Sequence, residues 1–573
     1  MKKTIPVIII VFLIIILGGV FALRLFLDKY SYSKETVDSS QYFGVEDPQD
    51  VPVMLQNELT SFHARMIGGT YYLDIDSVKN VLNDRFYVGK YAASAEEADV
   101  VLYCEPTERV MTVIGSNQWS SDSDGTVTEN YCPAVRENGT VYLSVEFVKK
   151  FSNFTYQTFS EPNRMQLNTL WEDQQAAEVK KNTQIRITGG IKSEILREVE
   201  KGEEVIILEQ MENWSKVRTD DCYVGYIENK RLSDPYIRSA SAPVREEQVF
   251  TTSGLEGKVC LAWHAVAGTA GNDTIYSYLA QTKSLNVIAP TWFWILDGAG
   301  NISSFASTDY VEYLHGQGIR VWGTVDNFNS PGVDRNQFLT SVETRTNLIN
   351  QLISQAEAFG LDGINVDFEQ ISAEYGEDFI EFIRELSIEC RKRSLTLSVD
   401  NYVPYDFNDY YNLPEQGVFA DYVIIMGYDE HYAGSTEAGS VASISYVQEG
   451  IARALQSVPA SKLMNAVPFY TRVWSTTASG VTSQALGMAD AQQYVSDHGL
   501  SVSWSDAAGQ NYASSVSDTE KLEVWLEDAQ SIQTKLSVME VNSLAGVAAW
   551  RLGFETADVW DVIANYMSAG SGN

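Results

Sequence analysis

Residues 362–369 read Asp-Gly-Ile-Asn-Val-Asp-Phe-Glu, and polar and apolar types alternate from Ile364 onward. In a strand, that alternation puts Asn365, Asp367 and Glu369 on one face and Ile364, Val366 and Phe368 on the other. If the apolar face meets helices packed around a parallel barrel, the polar face points into the barrel near the carboxyl end of the strand. Two carboxyls crowded there must be hydrogen bonded, and burial with mutual repulsion raises the pKa of one so that it keeps a proton near neutral pH. A retained proton is what a general acid needs to expel an alcohol leaving group. The rival readings are a solvated acidic edge or a calcium loop. Calcium asks for more oxygen ligands in a turn-rich loop, whereas the interleaved Ile, Val and Phe argue for a strand.

The elements that would position such a pair recur through the last part of the chain. Short apolar runs stand at 258–263, 286–292, 320–325, 363–368, 396–399, 422–426, 463–469 and 546–550, with helical stretches between them. Between the third and fourth, Leu348, Ile349, Leu352, Ile353, Ala356 and Phe359 recur at three- and four-residue steps, the mark of a helix with one buried face. Strand, helix, strand in sequence implies parallel pairing, and eight runs predict an α/β fold, a (β/α)8 barrel over 255–567. Roughly seventy residues with strand-like pieces separate the seventh and eighth runs and predict an insertion over the site.

Ahead of the barrel the pattern is different. Lys2 and Lys3 precede an apolar run at 5–23, long enough at about 1.5 Å per residue to cross most of a bilayer core, and Phe21, Leu23 and Leu25 spoil a small-residue cleavage site. The run predicts a transmembrane anchor with residues 1–4 inside the cell and the catalytic domain outside, a cleaved signal peptide and secretion being the alternative. Residues 24–48, polar and aperiodic from Tyr30 on, and 235–254 read as linkers, and 568–573 as a tail. Within 49–172, Gly68-Gly69 and Asn138-Gly139 each precede a β-prone triplet and then a helix-like stretch, a repeated hairpin-plus-helix unit in an α+β module. Residues 173–234 show short strands at 185–187, 204–208, 214–217 and 223–227.

Composition narrows the partners. The 573 residues carry 76 acidic against 41 basic side chains, a formal charge of −35, which argues against a nucleic-acid partner held by basic patches. The 12 Trp, 31 Tyr and 23 Phe supply flat apolar faces of the kind that stack on sugar rings. Five cysteines and five histidines show no metal-ligand spacing, so neither metal nor cofactor is expected, and no obligate protein partner is evident. Cys390 follows Phe379, Phe382, Ile383 and Leu386 at helical spacing and reads as a core thiol; Cys104 and Cys132 could form a bridge outside the cell.

These residues carry resemblances. The run DGINVDFE resembles the DGxDxDxE signature of family 18 glycoside hydrolases, with Asn365 in place of the middle Asp. Met426-Gly427-Tyr428-Asp429 is similar to that family's M-x-Y-D, Pro468 to Arg472 to its PxYGR with Thr471 replacing Gly, and Trp550 to Gly553 to its W-x-L-G. The combination with an anchor and a small β module resembles the branch of spore-cortex and cell-wall N-acetylglucosaminidases. Residues 173–234 resemble the bacterial Src-homology-three barrel, and 49–172 the stalk-like module of copper amine oxidase N-termini, without copper.

The resemblance implies hydrolysis of β-1,4 bonds next to N-acetylglucosamine in peptidoglycan by substrate-assisted retention. Glu369 would protonate the glycosidic oxygen while the sugar's own acetamido oxygen attacks C1. Asp367 would hold the acetamido N–H, Asn365 would orient Asp367 by a hydrogen bond, Tyr428 would bind the acetamido oxygen, and Trp550 would floor the −1 subsite. Asp362, Asp429, Tyr470, Arg472 and Trp292 are the further residues expected at the substrate. Chitin or chitooligosaccharides are the alternative substrate, and a wall protein that binds glycan without cleaving it is the alternative function.

Overall fold

The computed structural model describes residues 4–92, 99–240 and 248–569. The expected cytoplasmic end at 1–3, the middle of the second linker at 241–247 and most of the tail at 570–573 lie outside the described residues. The chain divides into two compact units, Met1–Phe86 with Ile114–Gln118 and Thr128–Glu247, and Tyr87–Val113 with Trp119–Val127 and Gln248–Asn573. The stretch 49–172, expected to be one module, is therefore shared between the units.

In the first unit a single helix spans Thr4–Tyr30. Its segment Val7–Tyr30 is long and apolar enough to cross a membrane. The helix runs past the expected end at Leu23 because nothing in Arg24-Leu25-Phe26-Leu27 breaks it, and its apolar side chains from Val7 onward are exposed. Each of the two Gly-containing turns feeds a strand and then a helix: Thr70–Asp74 leads into Ile75–Val81, and Thr140–Ser144 into Val145–Phe151. The two strands pair antiparallel, Leu73 opposite Leu143, toward one edge of a seven-stranded sheet. A second seven-stranded antiparallel sheet, Gln174–Glu178 to Tyr236–Arg238, contains the strands Thr183–Arg186, Glu204–Gln210, Trp214–Thr219 and Val224–Glu228.

The second unit is built on a closed parallel barrel. Its strands are β1 (Val259–His264), β2 (Val287–Pro290), β3 (Arg320–Asp326), β4 (Gly363–Asp367), β5 (Thr396–Tyr402), β6 (Tyr422–Met426), β7 (Leu463–Pro468) and β8 (Gly546–Trp550). Hydrogen-bonded neighbours run in the order β2, β1, β8, β7, β6, β5, β4, β3, and pairing of Ile288 with Val321 closes the ring. Each expected run falls on one of these strands. The alternation along β1 shows why both faces are apolar: Val259, Leu261 and Trp263 fill the barrel, while Cys260 and Ala262 face the helices. Trp322 and Tyr422 stack in the interior at 5.5 Å between centroids.

The outer layer includes α1 (Thr308–Gly316), α2 (Val342–Phe359), α3 (Gly376–Lys392), α4 (Leu413–Phe419), α5 (Ile444–Ala454), α6 (Ala529–Val541) and α7 (Val559–Ser568). On α2 the Ser341 side chain caps the first turn by accepting from the Thr344 N–H, and Gly360 closes the last at φ 69°, a conformation cheap only for glycine. Leu348, Ile349, Leu352, Ile353 and Ala356 are the buried stripe between them. Cys390 on α3 is buried, and all five cysteines are free thiols, Cys104 lying against Glu381. After β7 comes the insertion, a five-stranded antiparallel sheet from Tyr470–Thr477 to Glu520–Leu526 with the helix Met488–Asp497. A further five-stranded sheet, Tyr87–Lys90 to Gly125–Thr128, meets α3 through the ion pairs Arg109–Glu385 and Asp122–Lys392, and α2 through a hydrogen bond from Arg345 to the Tyr87 hydroxyl.

Candidate active site

Three adjacent strands line up their inward side chains in rows. Thr324, Asn365 and Ser398 stand in register across β3, β4 and β5, all fully buried. Asn365 is saturated: its Oδ1 accepts from Trp263 Nε1 and Thr324 Oγ1 at 3.0 Å each, and its Nδ2 donates to Ser398 Oγ and Asp400 Oδ1 at 2.9 Å each. The next row toward the carboxyl ends is acidic. Asp326 is opposite Asp367 on β3 and β4, and Asp400 follows on β5. All three are buried, so each carboxyl lies in low-dielectric surroundings beside others of its kind.

Burial and then the neighbouring Asp400, Glu369 and Asp326 charges push the Asp367 carboxyl far above the usual carboxylate range. Asp400 is raised chiefly by burial, against hydrogen bonds that favour its charged form. Asp326 is pushed up to about 6 by burial, although the Asn329 amide and two backbone N–H groups oppose the shift.

Glu369 sits two residues beyond Asp367, where the row opens. The side-chain amide of Asn327 grips its backbone from both sides, accepting from Glu369 N at 2.9 Å and donating to Glu369 O at 3.0 Å. Tyr402 Oη donates to Glu369 Oε2 at 2.9 Å. Burial, aided by the Asp429 charge, lifts the Glu369 carboxyl above its ordinary value, while the Tyr402 hydrogen bond and the Arg335 charge pull the other way. The arrangement yields a fixed carboxyl that holds its proton to higher pH than a solvated glutamate, with a second acid one pleat deeper. Chemically, that is a proton donor backed by a carboxylate able to face a cation or an N–H.

The opposite wall comes from β6, β8 and the insertion. Tyr428, two residues past β6, is half-buried; burial raises its phenol far above the usual range, and the charges of Tyr470, Asp367 and Asp400 add to that. Asp429, at φ 59°, accepts from the Tyr470 hydroxyl, and Tyr428 and Tyr470 meet edge to face at 6.3 Å. Arg472 Nη1 donates to Ser483 Oγ at 3.1 Å, and its charge favours the ionised form of Asp429. Trp550, half-buried at the end of β8, stands 6.0 Å between ring centroids from Trp263 on the adjoining strand β1.

Three expectations are corrected by the geometry. Asp362 precedes β4 and lies at its amino end, away from the acidic row, where it accepts from the Val321 N–H and pairs with His315 at 2.8 Å. Trp292 has no exposed surface; its Nε1 donates to Asn272 Oδ1 at 2.8 Å and its ring packs on Tyr310, so it is a core residue between barrel and helices. Asn365 does not bond Asp367, because all its donor and acceptor positions are taken by Trp263, Thr324, Ser398 and Asp400. Asp326, Asn327, Asp400, Tyr402 and Trp263 were not anticipated. A signal existed for two of them: β5 reads Thr-Leu-Ser-Val-Asp-Asn-Tyr, and continuing its alternation past Val399 brings Asp400 and Tyr402 to the inner face.

With this geometry in place, the comparisons with known proteins are specific. Residues 329–555 match the family described as Glycosyl hydrolases family 18, and residues 181–233 match Bacterial SH3 domain. The chain is 26% identical over 321 residues to the uncharacterized glycosylase YvbX of Bacillus subtilis, covering 54% of this chain and 92% of that protein. It is 25% identical over 239 residues to the cortical fragment-lytic enzyme of the same organism, spanning 40% of this chain and 54% of that enzyme. Among solved structures, the C-terminal domain of a chitinase-like protein from Desulfitobacterium hafniense superposes with a TM-score of 0.50 at 20% identity, over 55% of this chain and 99% of that one. That last likeness is one of fold. The family 18 match falls within the barrel, and the bacterial SH3 match precedes it.

Proposed function

We propose that the protein is a glycoside hydrolase that cleaves β-1,4 bonds next to N-acetylglucosamine in peptidoglycan, by substrate-assisted retention. The observation that carries this reading is Glu369, a half-buried carboxyl with a raised pKa, set directly above the deeply buried Asp367. Glu369 gives its proton to the glycosidic oxygen; the acetamido oxygen of the −1 sugar attacks C1, forming an oxazolinium ion; Glu369 then takes a proton from the water that opens it. Asp367 holds the acetamido N–H and balances its growing positive charge, a contact that strengthens in the transition state. Tyr428 is the donor to the acetamido oxygen, and Trp550 is the apolar floor beneath the sugar. Asp429, Tyr470 and Arg472 form the wall on the insertion side.

Peptidoglycan is favoured over chitin by the relatives named for lysis of cortical fragments and by the SH3 domain and N-terminal apolar helix, which suit a protein working at the wall. The helix anchors the chain, with the barrel outside the cell. The substrate test is digestion of peptidoglycan and of chitin side by side, with the products read by mass spectrometry. Peptidoglycan fragments ending in N-acetylglucosamine are expected; release from chitin alone would replace the substrate. De-N-acetylated strands should not be cut, because the nucleophile has been removed; cleavage of both strands at similar rates would overturn the mechanism.

A further inference from the structure

The acidic row contains a carboxyl that the proposed reaction does not use. Asp400 is 2% exposed, and two of its features are unusual for a buried acid. Its Oδ1 accepts from Asn365 Nδ2 at 2.9 Å, whereas its Oδ2 has no hydrogen-bond partner among the described residues. Asp367 Oδ1 is likewise buried and unpartnered among them. The register places these residues on adjoining strands one step beyond the Val366–Val399 pair, on the same inward face. Two buried carboxyl oxygens that both lack a donor, on neighbouring strands, are satisfied together if a single proton lies between them.

We propose that Asp367 and Asp400 share one proton across β4 and β5, and that Asp400 is a positioning residue that supplies the inner carboxyl which Asn365, an amide, cannot be. The inference rests on the glycosidase reading for its consequence, although not for its geometry. Because Asp400 Oδ1 is occupied by Asn365, the proton resides on Oδ2, the oxygen free to meet Asp367. When the acetamido N–H reaches Asp367, the proton stays with Asp400 and Asp367 carries the full negative charge opposite the forming oxazolinium. No proton enters or leaves the pair, and Asn365 serves as its hinge by fixing Asp400. The groups facing the pair are Glu369 beyond β4, Asp326 on β3, Tyr411 after β5, Tyr428 after β6 and the Trp263 indole on β1. None is a cation that would ionise both acids at once.

The test uses the full chain and two readouts. Infrared difference spectra at neutral pH count protonated buried carboxyls; Asp400→Asn should remove one, because Asp367 then ionises alone. In the same variant kcat should fall by about tenfold or more with KM nearly unchanged, and the pH–rate profile should change shape. The swapped variant, Asn365→Asp with Asp400→Asn, restores a second inward carboxyl on β4, one pleat below Asp367, and should recover both the infrared band and most of kcat. It also serves if the single variant folds poorly. An unchanged carboxyl count in Asp400→Asn, or a swapped variant as slow as the single one, would overturn the proposal. A wild-type protein that shows the shared-proton band yet cuts no N-acetylated glycan would support the pair and sink the glycosidase reading.

Discussion

Glu369 bears the most direct test at the scale of single residues. Changing it to Gln keeps the shape and hydrogen-bonding capacity of the side chain and removes the proton donor, so turnover should fall by about 10²- to 10⁴-fold with the melting temperature nearly unchanged. Reducing-end release and a thermal melt on the same sample check both halves; wild-type rates would place the acid elsewhere. Tyr402→Phe tests the tuning of that acid. The hydroxyl favours the ionised carboxylate, so its loss raises the Glu369 pKa further, and the alkaline limb of the rate profile should move to higher pH. Asp326 gives a stability prediction whose sign is fixed by linkage. Its folded pKa of about 6 exceeds the ordinary 3.8, so the folded state binds more protons than the unfolded chain between those values. Stability therefore falls as pH rises across that window, by roughly 3 kcal/mol for this group. Comparing urea midpoints of the wild type and Asp326→Asn from pH 4 to 7 should show the wild type losing stability relative to the variant as pH rises; a flat difference would refute the assignment.

At the scale of elements, the site depends on how β3, β4 and β5 are tied together beyond their backbone ladders. Asn327, at the end of β3, holds the Glu369 backbone through two hydrogen bonds where regular pairing has stopped at Asp367. Behind β4, helices α2 and α3 meet through Glu385, which is 3% exposed and bridges Arg345 at 2.9 Å and Arg109 at 3.0 Å. Arg345 has no exposed surface. Removing Glu385 leaves that guanidinium buried without its carboxylate, and breaking such a pair costs about 3–5 kcal/mol. Glu385→Ala should lose stability of that order in a denaturant titration, and a loss below about 1 kcal/mol would mean that water or another acid takes its place. Arg109 enters this network from the sheet that starts at Tyr87, so the catalytic domain is not confined to the segment after residue 248.

For the whole molecule, the helix Thr4–Tyr30 is the element on which the expected location can be tested. Its side chains from Val7 onward are exposed along its length, a state that water penalises and a bilayer does not. Cell fractionation should recover the full-length chain with membranes, and a version starting after Tyr30 should be released when it is exported by another signal. A native form in the medium beginning near residue 25 or later would identify the run as a cleaved signal. The formal charge of −35 adds a long-range repulsion from other polyanions.

Local order in the chain already determined much of this protein. The eight barrel strands, the buried stripe of α2, the core position of Cys390 and the inward face of Asn365, Asp367 and Glu369 follow from two- and 3.6-residue periods, because burial of one face is a local pattern written directly in residue order. The long apolar run and the two Gly-containing turns are local in the same sense. What the tertiary structure alone decided concerns residues brought together from different strands. Asp400 and Asp326 join the acidic row only because three strands adopt a common register, and Asn365 is committed to Trp263 and Asp400 by barrel closure, leaving nothing for Asp367. Asp362, adjacent to the motif in sequence, lies at the other end of the strand, and Trp292 follows a barrel strand yet packs away from the mouth. The grouping of residues 87–113 and 119–127 with the barrel was hidden for the same reason: ion pairs and packing between distant segments leave no period in the sequence that could announce them.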